Sequence, residues 1–231
     1  MKALDSAVQN NIDKWLQGDY DQDTKNVIRQ MLDEEKFDEL TDAFYKDLEF
    51  GTGGLRGIMG IGSNRVNKYT FGIATQGLSN FLHKTYPGQQ LKVAIAHDSR
   101  NNSDKLAKVV ADVFSANDIQ VYFFDGLRPT PELSFAIREL GCQGGVMLTA
   151  SHNPKEYNGY KAYGPDGGQY VAPNDAAVME EVRKISSIDD VKFEANEELI
   201  ESIGKEIDRK YLDAITSLSV SPESIKHQND L

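Results

Sequence analysis

Cysteine and long apolar runs are both scarce in this chain of 231 residues. Cys142 is the one cysteine, so the chain cannot form an internal disulfide. No stretch approaches the roughly 18 consecutive apolar residues that a membrane-spanning helix needs. The N-terminal segment carries Asp5 and Asp13 and lacks an apolar region, so we expect neither a signal nor a transit peptide. These absences favour a cytoplasmic protein with no membrane partner.

Positive charge is also in short supply. The 25 Lys and Arg residues are outnumbered by 36 Asp and Glu residues, and the net charge is −11. Such a chain lacks the basic face that non-specific nucleic-acid binding requires, so we expect no nucleic-acid partner. It also has no general attraction for anions. Any phosphate site must therefore depend on a few local cations and on backbone amides.

Histidine is too sparse to form a zinc site. The four histidines lie far apart and, with the single cysteine, show no spacing typical of zinc ligands. The composition otherwise resembles that of soluble globular proteins, which excludes disorder, collagen and a coiled coil. The length suits one large domain, or one domain and part of another.

The hydropathy pattern divides the chain into three parts. Apolar residues at helical spacing predict a helical extension over residues 1–47. We expect the main domain over residues 48–205, followed by residues 206–231, which end in a polar stretch. The acidic segment 188–204 is a possible domain border. An amphipathic helix is predicted over 207–218.

Strands and helices alternate in the main domain. A long helix capped by Asn67 is predicted to run to Tyr86 and to end at Pro87-Gly88. The elements that follow are a strand over 91–96, a helix capped by Ser103, a strand over 119–124, a helix over 129–140, a strand over 145–148, a hairpin of 160–163 with 169–171, and a helix over 174–185. This order predicts an α/β fold, a layered helix–sheet–helix domain with a mostly parallel, mixed sheet.

Ligands of open α/β sheets bind beyond the carboxyl ends of the strands, so a site is expected among three strand exits. They are His97–Asn102, Asp125–Pro131 and Thr149–Pro154. The third places Ser151, His152 and Asn153 in succession before a stiffening proline. An exposed serine there could be a nucleophile or carry a phosphoryl group. The alternative is a turn in which Ser and Asn cap local backbone groups.

A glycine-rich segment over residues 51–57 carries Arg56 in its middle. It is not a Walker A loop, because no Gly-Lys-Ser/Thr follows, and it is not a dinucleotide fingerprint, because Arg56 stands where that motif needs glycine. A flexible backbone with one guanidinium suits two-point contact with a phosphate. The alternative is a plain turn. Similarly, Asp98 and Arg100 either bind a ligand or pair with each other to shape their loop.

Thr149–Pro154, followed by Asn158-Gly159-Tyr160-Lys161, resembles the phosphoserine loop of the α-D-phosphohexomutase superfamily. Three further segments agree with that family in order: Phe50–Gly57, Asp98–Arg100 and Gly126–Pro131. The resemblance covers roughly residues 48–175. It is closest to the phosphoglucomutase branch that also contains phosphopentomutases.

The resemblance implies a mechanism. Ser151, once phosphorylated, would donate its phosphoryl group to a sugar monophosphate, and the resulting bisphosphate, glucose 1,6-bisphosphate for glucose, would reorient and return its other phosphoryl group. The same compound would serve as activator. His152 and Lys161 would complete the catalytic set by proton transfer and charge stabilisation. Mg²⁺ would bind a phosphoryl oxygen on Ser151. The implied substrate-binding residues are Arg56, Arg100, Ser151, Asn153 and Lys161.

Members of the family have four domains and a metal-binding Asp-Gly-Asp-Gly-Asp-Arg loop in the second. The resemblance implies that residues 206–231 are a linker helix and the start of that second domain. That loop is missing from this sequence, so we expect a first-domain fragment of a phosphoglucomutase/phosphomannomutase that is inactive alone and has the remaining domains as partners. The alternative is a non-catalytic sugar-phosphate-binding or interaction domain of the same fold. A serine hydrolase is disfavoured because Ser151 lacks a surrounding Gly-x-Ser-x-Gly.

Overall fold

A computed structural model describes residues 4–49, 51 and 54–226. The helices are α1 (Ser6–Gln17), α2 (Gln22–Asp33), α3 (Phe37–Phe44), α4 (Lys68–Thr85), α5 (Ser103–Ala116), α6 (Thr130–Glu139), α7 (Asn174–Arg183), α8 (Lys205–Ser217) and α9 (Pro222–Lys226). The strands are β1 (Gly54–Ile58), β2 (Lys92–His97), β3 (Gln120–Phe124), β4 (Gly144–Leu148), β5 (Tyr157–Tyr163) and β6 (Ile200–Ile203). None of the described helices is long and apolar enough to cross a membrane.

The strands form one mixed sheet in the order β1-β5-β4-β2-β3-β6. Strand β2 runs parallel to both β3 and β4, and β6 runs parallel to β3. Strand β5 is antiparallel to β4 and to β1. The prediction of a mostly parallel, mixed sheet is therefore confirmed.

Helices cover both faces of the sheet. Val93 and Ile95 of β2 pack on one face in a cluster that includes residues of α4, α5 and α7, while Ala94 and Ala96 pack on the other face with residues of α6 and α8. Strand β2 is apolar on both sides because it is buried on both sides, as central parallel strands are. This is the predicted helix–sheet–helix layering.

The N-terminal helices pack on the main domain through a third apolar cluster. Trp15 of α1 meets Phe44 of α3 and Tyr69 of α4 edge to face, with ring centroids 5.5 Å and 5.4 Å away. Tyr69 also donates its hydroxyl to the Asp21 carboxylate at 2.6 Å, and that carboxylate caps α2 through the Thr24 amide. The extension is thus fixed by buried rings and by a polar contact.

Helix α4 begins where the sequence predicts, because Asn67 accepts hydrogen bonds from the backbone amides of Tyr69 and Thr70. The start of α5 differs from the prediction. Its cap position is Asn102 in the left-handed conformation, and the Ser103 hydroxyl donates to Asp98 instead.

Two other segments also differ from expectation. Residues 169–171 add only an isolated bridge, Tyr163 with Gln169, rather than a second hairpin strand. The acidic segment 188–204 contributes β6, which extends the sheet beyond β3. Its Ile203 is buried with residues of β3 and α6, so this segment packs against the core. The division at residue 205 stays a prediction.

Candidate functional site

The loop between β4 and β5 presents Ser151 to solvent in a strained backbone conformation. Its φ is +55°, in the left-handed region that few residues other than glycine adopt. Its backbone amide donates to Thr149 Oγ1 at 3.0 Å, and the Asn153 amide donates to the Ala150 carbonyl at 3.0 Å. The loop is therefore a turn held by local hydrogen bonds, and its serine side chain is exposed.

Ser151 and His152 form a pair at the tip of this loop. The serine Oγ lies 3.4 Å from Nδ1 of His152, and both residues are exposed. This distance allows a weak hydrogen bond whose donor depends on the imidazole tautomer. The pair therefore places an imidazole next to the serine hydroxyl, as proton transfer requires.

Arg100, at the exit of β2, lies against the backbone of the Ser151 loop. Its Nη2 donates to the carbonyls of Ser151 at 2.6 Å and Asn153 at 2.7 Å. Its Nη1 donates to the carbonyls of Pro154 at 3.0 Å and Tyr157 at 3.1 Å. These contacts engage all four terminal N–H groups of the guanidinium.

Asp98 contacts both the backbone and the side chain of Arg100. One carboxylate oxygen accepts from the Arg100 backbone amide and from the Ser103 hydroxyl, each at 3.1 Å, and the other lies 3.6 Å from Arg100 Nε. The Ser103 hydroxyl in turn accepts from Asn158 Nδ2 at 2.9 Å, and Asn158 also donates to the Asn101 carbonyl. This buried network joins the exit of β2 to the start of β5.

Arg56 and Lys161 emerge from one face of the sheet on neighbouring strands. The register pairs Gly54 with Lys161 and Arg56 with Gly159, so the two cations are diagonal neighbours on the antiparallel β1–β5 pair. A Cβ at Gly159 would lie 2.6 Å from the Thr149 carbonyl oxygen and 3.4 Å from Arg56 Cβ. The backbone is therefore packed too closely here for any residue other than glycine opposite Arg56.

A depression of about 340 Å³ opens at this position. Arg56, Lys161 and Thr149 line it, together with Glu49 and Gln169. Within the described ranges, neither Arg56 nor Lys161 has a side-chain hydrogen bond or an ion pair. Thr149 also accepts the Ser151 amide, so the depression adjoins the Ser151 loop.

Asn153 has a buried side-chain oxygen, Oδ1, with no hydrogen-bond partner in the described part of the chain. A buried acceptor left unpaired is costly, so this oxygen is a point of local strain in the Ser151 loop.

The sequence around this site is similar to that of a known protein family. Residues 47–189 match the family model described as phosphoglucomutase/phosphomannomutase, alpha/beta/alpha domain I. The chain belongs to the phosphoglucomutase/phosphomannomutase family. It is 39% identical over 145 residues to a phosphoglucomutase of Staphylococcus epidermidis, covering 63% of this chain and 26% of that protein.

Other relatives of this phosphomutase family act on different sugars by name. The human phosphopentomutase is 33% identical over 187 residues, which cover 78% of this chain and 31% of that protein. A solved candidate phosphomannomutase from Thermus thermophilus superposes with a TM-score of 0.64 at 27% identity, over 74% of this chain and 36% of that one. The chain therefore spans about a quarter to a third of the length of the curated relatives it matches.

At the second strand exit, Asp125–Pro131, the side chain of Arg128 binds helix α8. Arg128 forms ion pairs with Asp125 and Asp208. Its Cζ lies 5.3 Å from the centroid of the Phe124 ring. None of the described hydrogen bonds of Arg128 reaches the Ser151 loop. The cation at this exit thus holds α8 rather than a ligand.

The described residues do not form a magnesium site of their own. No three His, Cys, Asp or Glu side chains among them come together as a candidate metal site. A single phosphoryl oxygen on Ser151 would be one ligand of an ion that demands near-octahedral oxygen coordination.

The residues named from sequence fall into two groups in the structure. Ser151, His152 and Asn153 share the exposed loop, and Arg56 and Lys161 share the adjoining depression. Arg100 lies beside the loop, where its terminal N–H groups bind four backbone carbonyls; its contact with substrate stays a prediction.

Three contributors to the site were not identified from sequence. Thr149 fixes the Ser151 amide, and Ser103 and Asn158 support Asp98 and the loop. Thr149 and Asn158 lie inside the motifs that carry the family resemblance, which was the available signal. Within the family segment Phe50–Gly57, the residues Phe50, Thr52 and Gly53 lie outside the described residues.

Proposed function

We propose that this chain is the phosphoserine-bearing first domain of a phosphomutase that interconverts hexose 1-phosphates and hexose 6-phosphates. The observation that carries the proposal is the exposed Ser151 in a fixed turn, next to a depression lined by Arg56 and Lys161, two cations without an ion-pair partner among the described residues. The matched phosphoglucomutase and the domain I family model support the same reaction class.

In the proposed reaction, phosphorylated Ser151 donates its phosphoryl group to the free hydroxyl of a bound sugar monophosphate. The Oγ–P bond breaks, a P–O bond forms to the sugar oxygen, and the hydroxyl proton is relayed by His152 to Ser151 Oγ. The sugar bisphosphate then reorients, and the reverse transfer returns its other phosphoryl group to Ser151. Atoms and charge balance over the cycle, so the serine ends as it began.

Electrostatic neutralisation is the main task of this domain in the proposal. Phosphoryl transfer depends mostly on positioning and on stabilising charge over the transferring group. Lys161 and Arg56 provide that charge locally, against a chain whose net charge is −11. Asn153, on the same loop as Ser151, contacts the sugar. Mg²⁺, when supplied with ligands from further domains, would neutralise a phosphoryl oxygen on Ser151.

The proposal assigns residues 48–205 to the catalytic first domain and residues 206–231 to a linker leading to a second domain. Turnover then requires partners, the remaining domains, to bring sugar-selecting and metal-binding residues to Ser151. We therefore expect the 231-residue chain alone to show little conversion of glucose 1-phosphate to glucose 6-phosphate, even with Mg²⁺ and glucose 1,6-bisphosphate. Robust turnover by the chain alone would refute this part.

The test of the reaction is a chimera in which this chain replaces the matched first domain of the Staphylococcus epidermidis phosphoglucomutase. We expect the chimera to convert glucose 1-phosphate, and Ser151→Ala to lower kcat by at least about 100-fold, because the covalent carrier is gone. Ser219→Ala, an exposed serine outside the strand exits, is the matched control and keeps turnover. A Ser151→Ala chimera with unchanged turnover contradicts the proposal.

A non-catalytic sugar-phosphate-binding domain is the second candidate. It is favoured by one observation: Arg56 and Lys161 line a depression and have no ion-pair partner among the described residues, an arrangement that suits a phosphate without any covalent chemistry. Phosphate binding by the chain together with no phosphate ever found on Ser151 in the chimera would support this candidate over the mutase.

A further inference from the structure

We propose that Arg100 is a positioning residue that holds the Ser151 loop in its reactive conformation, an inference that rests on the proposed function of Ser151. Arg100 reaches from the exit of β2 to the loop between β4 and β5, two segments 51 residues apart in the chain. Its role is to fix backbone, and it does not touch the substrate.

Arg100 pairs with an unusually large number of backbone carbonyls. It donates to four carbonyl oxygens within seven consecutive residues, those of Ser151, Asn153, Pro154 and Tyr157. A planar guanidinium can do this because its N–H groups point outward in a fixed fork. Lysine has three donors on a single atom and cannot span four oxygens in this way.

The backbone of Ser151 needs a restraint on each side. A φ of +55° at a residue with a side chain is strained, and it persists only where its surroundings hold both adjoining peptides. Thr149 Oγ1 holds the amide side at 3.0 Å, and Arg100 Nη2 holds the carbonyl side at 2.6 Å. Without Arg100 one of these two restraints is lost, and Ser151 is free to relax.

Arg100 also compensates the carbonyl dipoles of the Ser151 loop. The Ser151 loop has to carry a phosphoryl group with about −1.5 to −2 charges, and unpaired carbonyl oxygens would oppose that charge. Arg100 binds four such oxygens, so their dipoles are compensated by a cation. The same contacts leave no terminal N–H group of Arg100 for an incoming phosphate, which separates its role from that of Arg56 and Lys161.

Arg100 is itself held in place from a second direction. Asp98 accepts its backbone amide and lies 3.6 Å from its Nε, and Ser103 fixes Asp98 from the start of α5. Ser103 is bound by Asn158, the residue that follows the loop. We call this set of contacts, from Asp98 to Arg100, to the Ser151 loop, and back through Asn158 and Ser103 to Asp98, the clamp.

The test compares Arg100→Lys, which keeps the charge, with Arg100→Gln, which removes it. Lys155→Gln is the control, because it removes an exposed cation from the same loop and leaves the clamp intact. Hydrogen exchange of the amides of residues 151–158 is measured without ligand. We expect both Arg100 variants to speed exchange in the loop by at least about tenfold, as loss of a charge-assisted hydrogen bond implies, with exchange in β2 and β4 unchanged.

A chemical rescue separates positioning from general stability. In Arg100→Ala, added guanidinium ion is expected to restore slow exchange in the loop, whereas added ammonium is not. Slow exchange in Arg100→Lys, equal to that of the unsubstituted chain, would overturn the inference, because charge alone would then suffice. Wild-type exchange in Arg100→Gln would overturn it as well.

Inorganic phosphate serves as the probe of the proposed function in the same samples. We expect phosphate to shift the amide resonances of Ser151 and His152 in the unsubstituted chain, and these shifts to be weak in both Arg100 variants. If the unsubstituted chain shows no phosphate shifts but Arg100 still controls loop exchange, the proposed function fails while the clamp stands. If phosphate shifts persist in both Arg100 variants, the clamp is not needed for the site and the inference fails.

Discussion

Arg128 and Asp208 form a two-point ion pair between the exit of β3 and helix α8. Arg128 Nε donates to Asp208 Oδ1 at 2.6 Å, and Nη2 donates to Oδ2 at 2.9 Å. Nη2 also donates to Asp125 at 3.0 Å. Fork-to-fork pairs of this kind are the stronger class of surface ion pair, so this contact fixes α8 against the sheet.

Removing this pair should loosen α8. We expect Asp208→Asn to lower the free energy of unfolding by about 1–3 kcal/mol, since it leaves the half-buried Arg128 without its main partner. Hydrogen exchange should rise in α8 but not in α4. Lys210→Gln, also on α8, removes exposed pairs with Glu139 of α6 and Glu206 of α8 and should change little. Equal effects of the two substitutions would contradict this account.

Glu132 makes the stability of the same region depend on pH. Burial, and then its hydrogen bond to Asp208, raise the pKa of Glu132 from 4.5 to about 7. Between about pH 4.5 and 7 the folded chain holds a proton that the unfolded chain has released. Stability contributed by protonated Glu132 is therefore lost as pH rises through this window.

The corresponding variant is Glu132→Gln, which keeps a donor for Asp208 and removes the titration. At about pH 8 we expect its free energy of unfolding, measured by urea titration, to exceed that of the unsubstituted chain by about 1–2 kcal/mol. Near about pH 4 the two free energies should be equal. A variant that is less stable than the unsubstituted chain at the higher pH would show that the carboxylate, not the acid, is the stabilising form.

Gly77 allows α4 and α7 to approach closely. A Cβ at this position would lie 2.7 Å from Val182 Cα and 2.8 Å from its nitrogen. Backbone cannot move aside as a side chain can, so Gly77→Ala should cost about 1–3 kcal/mol despite the higher helix propensity of alanine. Gly126→Ala, whose Cβ would meet only Arg128 Nη1 at 3.5 Å, should stay within about 0.5 kcal/mol in the same urea titration.

The two cations of the depression should contribute separately to phosphate binding. Lys161→Gln and Arg56→Gln are each expected to weaken the affinity of the chain for inorganic phosphate by about tenfold, as loss of one charge-assisted hydrogen bond implies. The affinity should also fall with added salt. Titrations followed by amide shifts measure both effects. Unchanged affinity in the double variant would mean that phosphate binds elsewhere.

Much of the fold follows from local sequence features. Helix α4 begins at its asparagine cap, and β2 and β4 are short apolar runs because they are buried on both faces. Strand β6 was missed because Ile200–Ile203 carries exposed Glu201 and Ser202 and pairs only with β3 at the sheet edge. Such a strand has neither the length nor the apolar character that marks a strand in isolation.

The candidate site was predictable in its residue types but not in its geometry. The motif around Ser151 and the cation at position 161 could be identified from the chain alone. The contacts of Arg100 could not, because a guanidinium meets four carbonyls only once the left-handed turn at Ser151 has formed. The register that makes Arg56 and Lys161 neighbours likewise depends on the pairing of β1 with β5.

The most direct test of the central claim is to locate the phosphate. The chimera that joins this chain to the remaining domains of the Staphylococcus epidermidis phosphoglucomutase is treated with glucose 1,6-bisphosphate, and phosphorylated peptides are mapped by mass spectrometry. The account predicts phosphate on Ser151 and none on this chain after Ser151→Ala. Turnover by the chimera with Ser151 never phosphorylated, or with phosphate only on another residue, would contradict it.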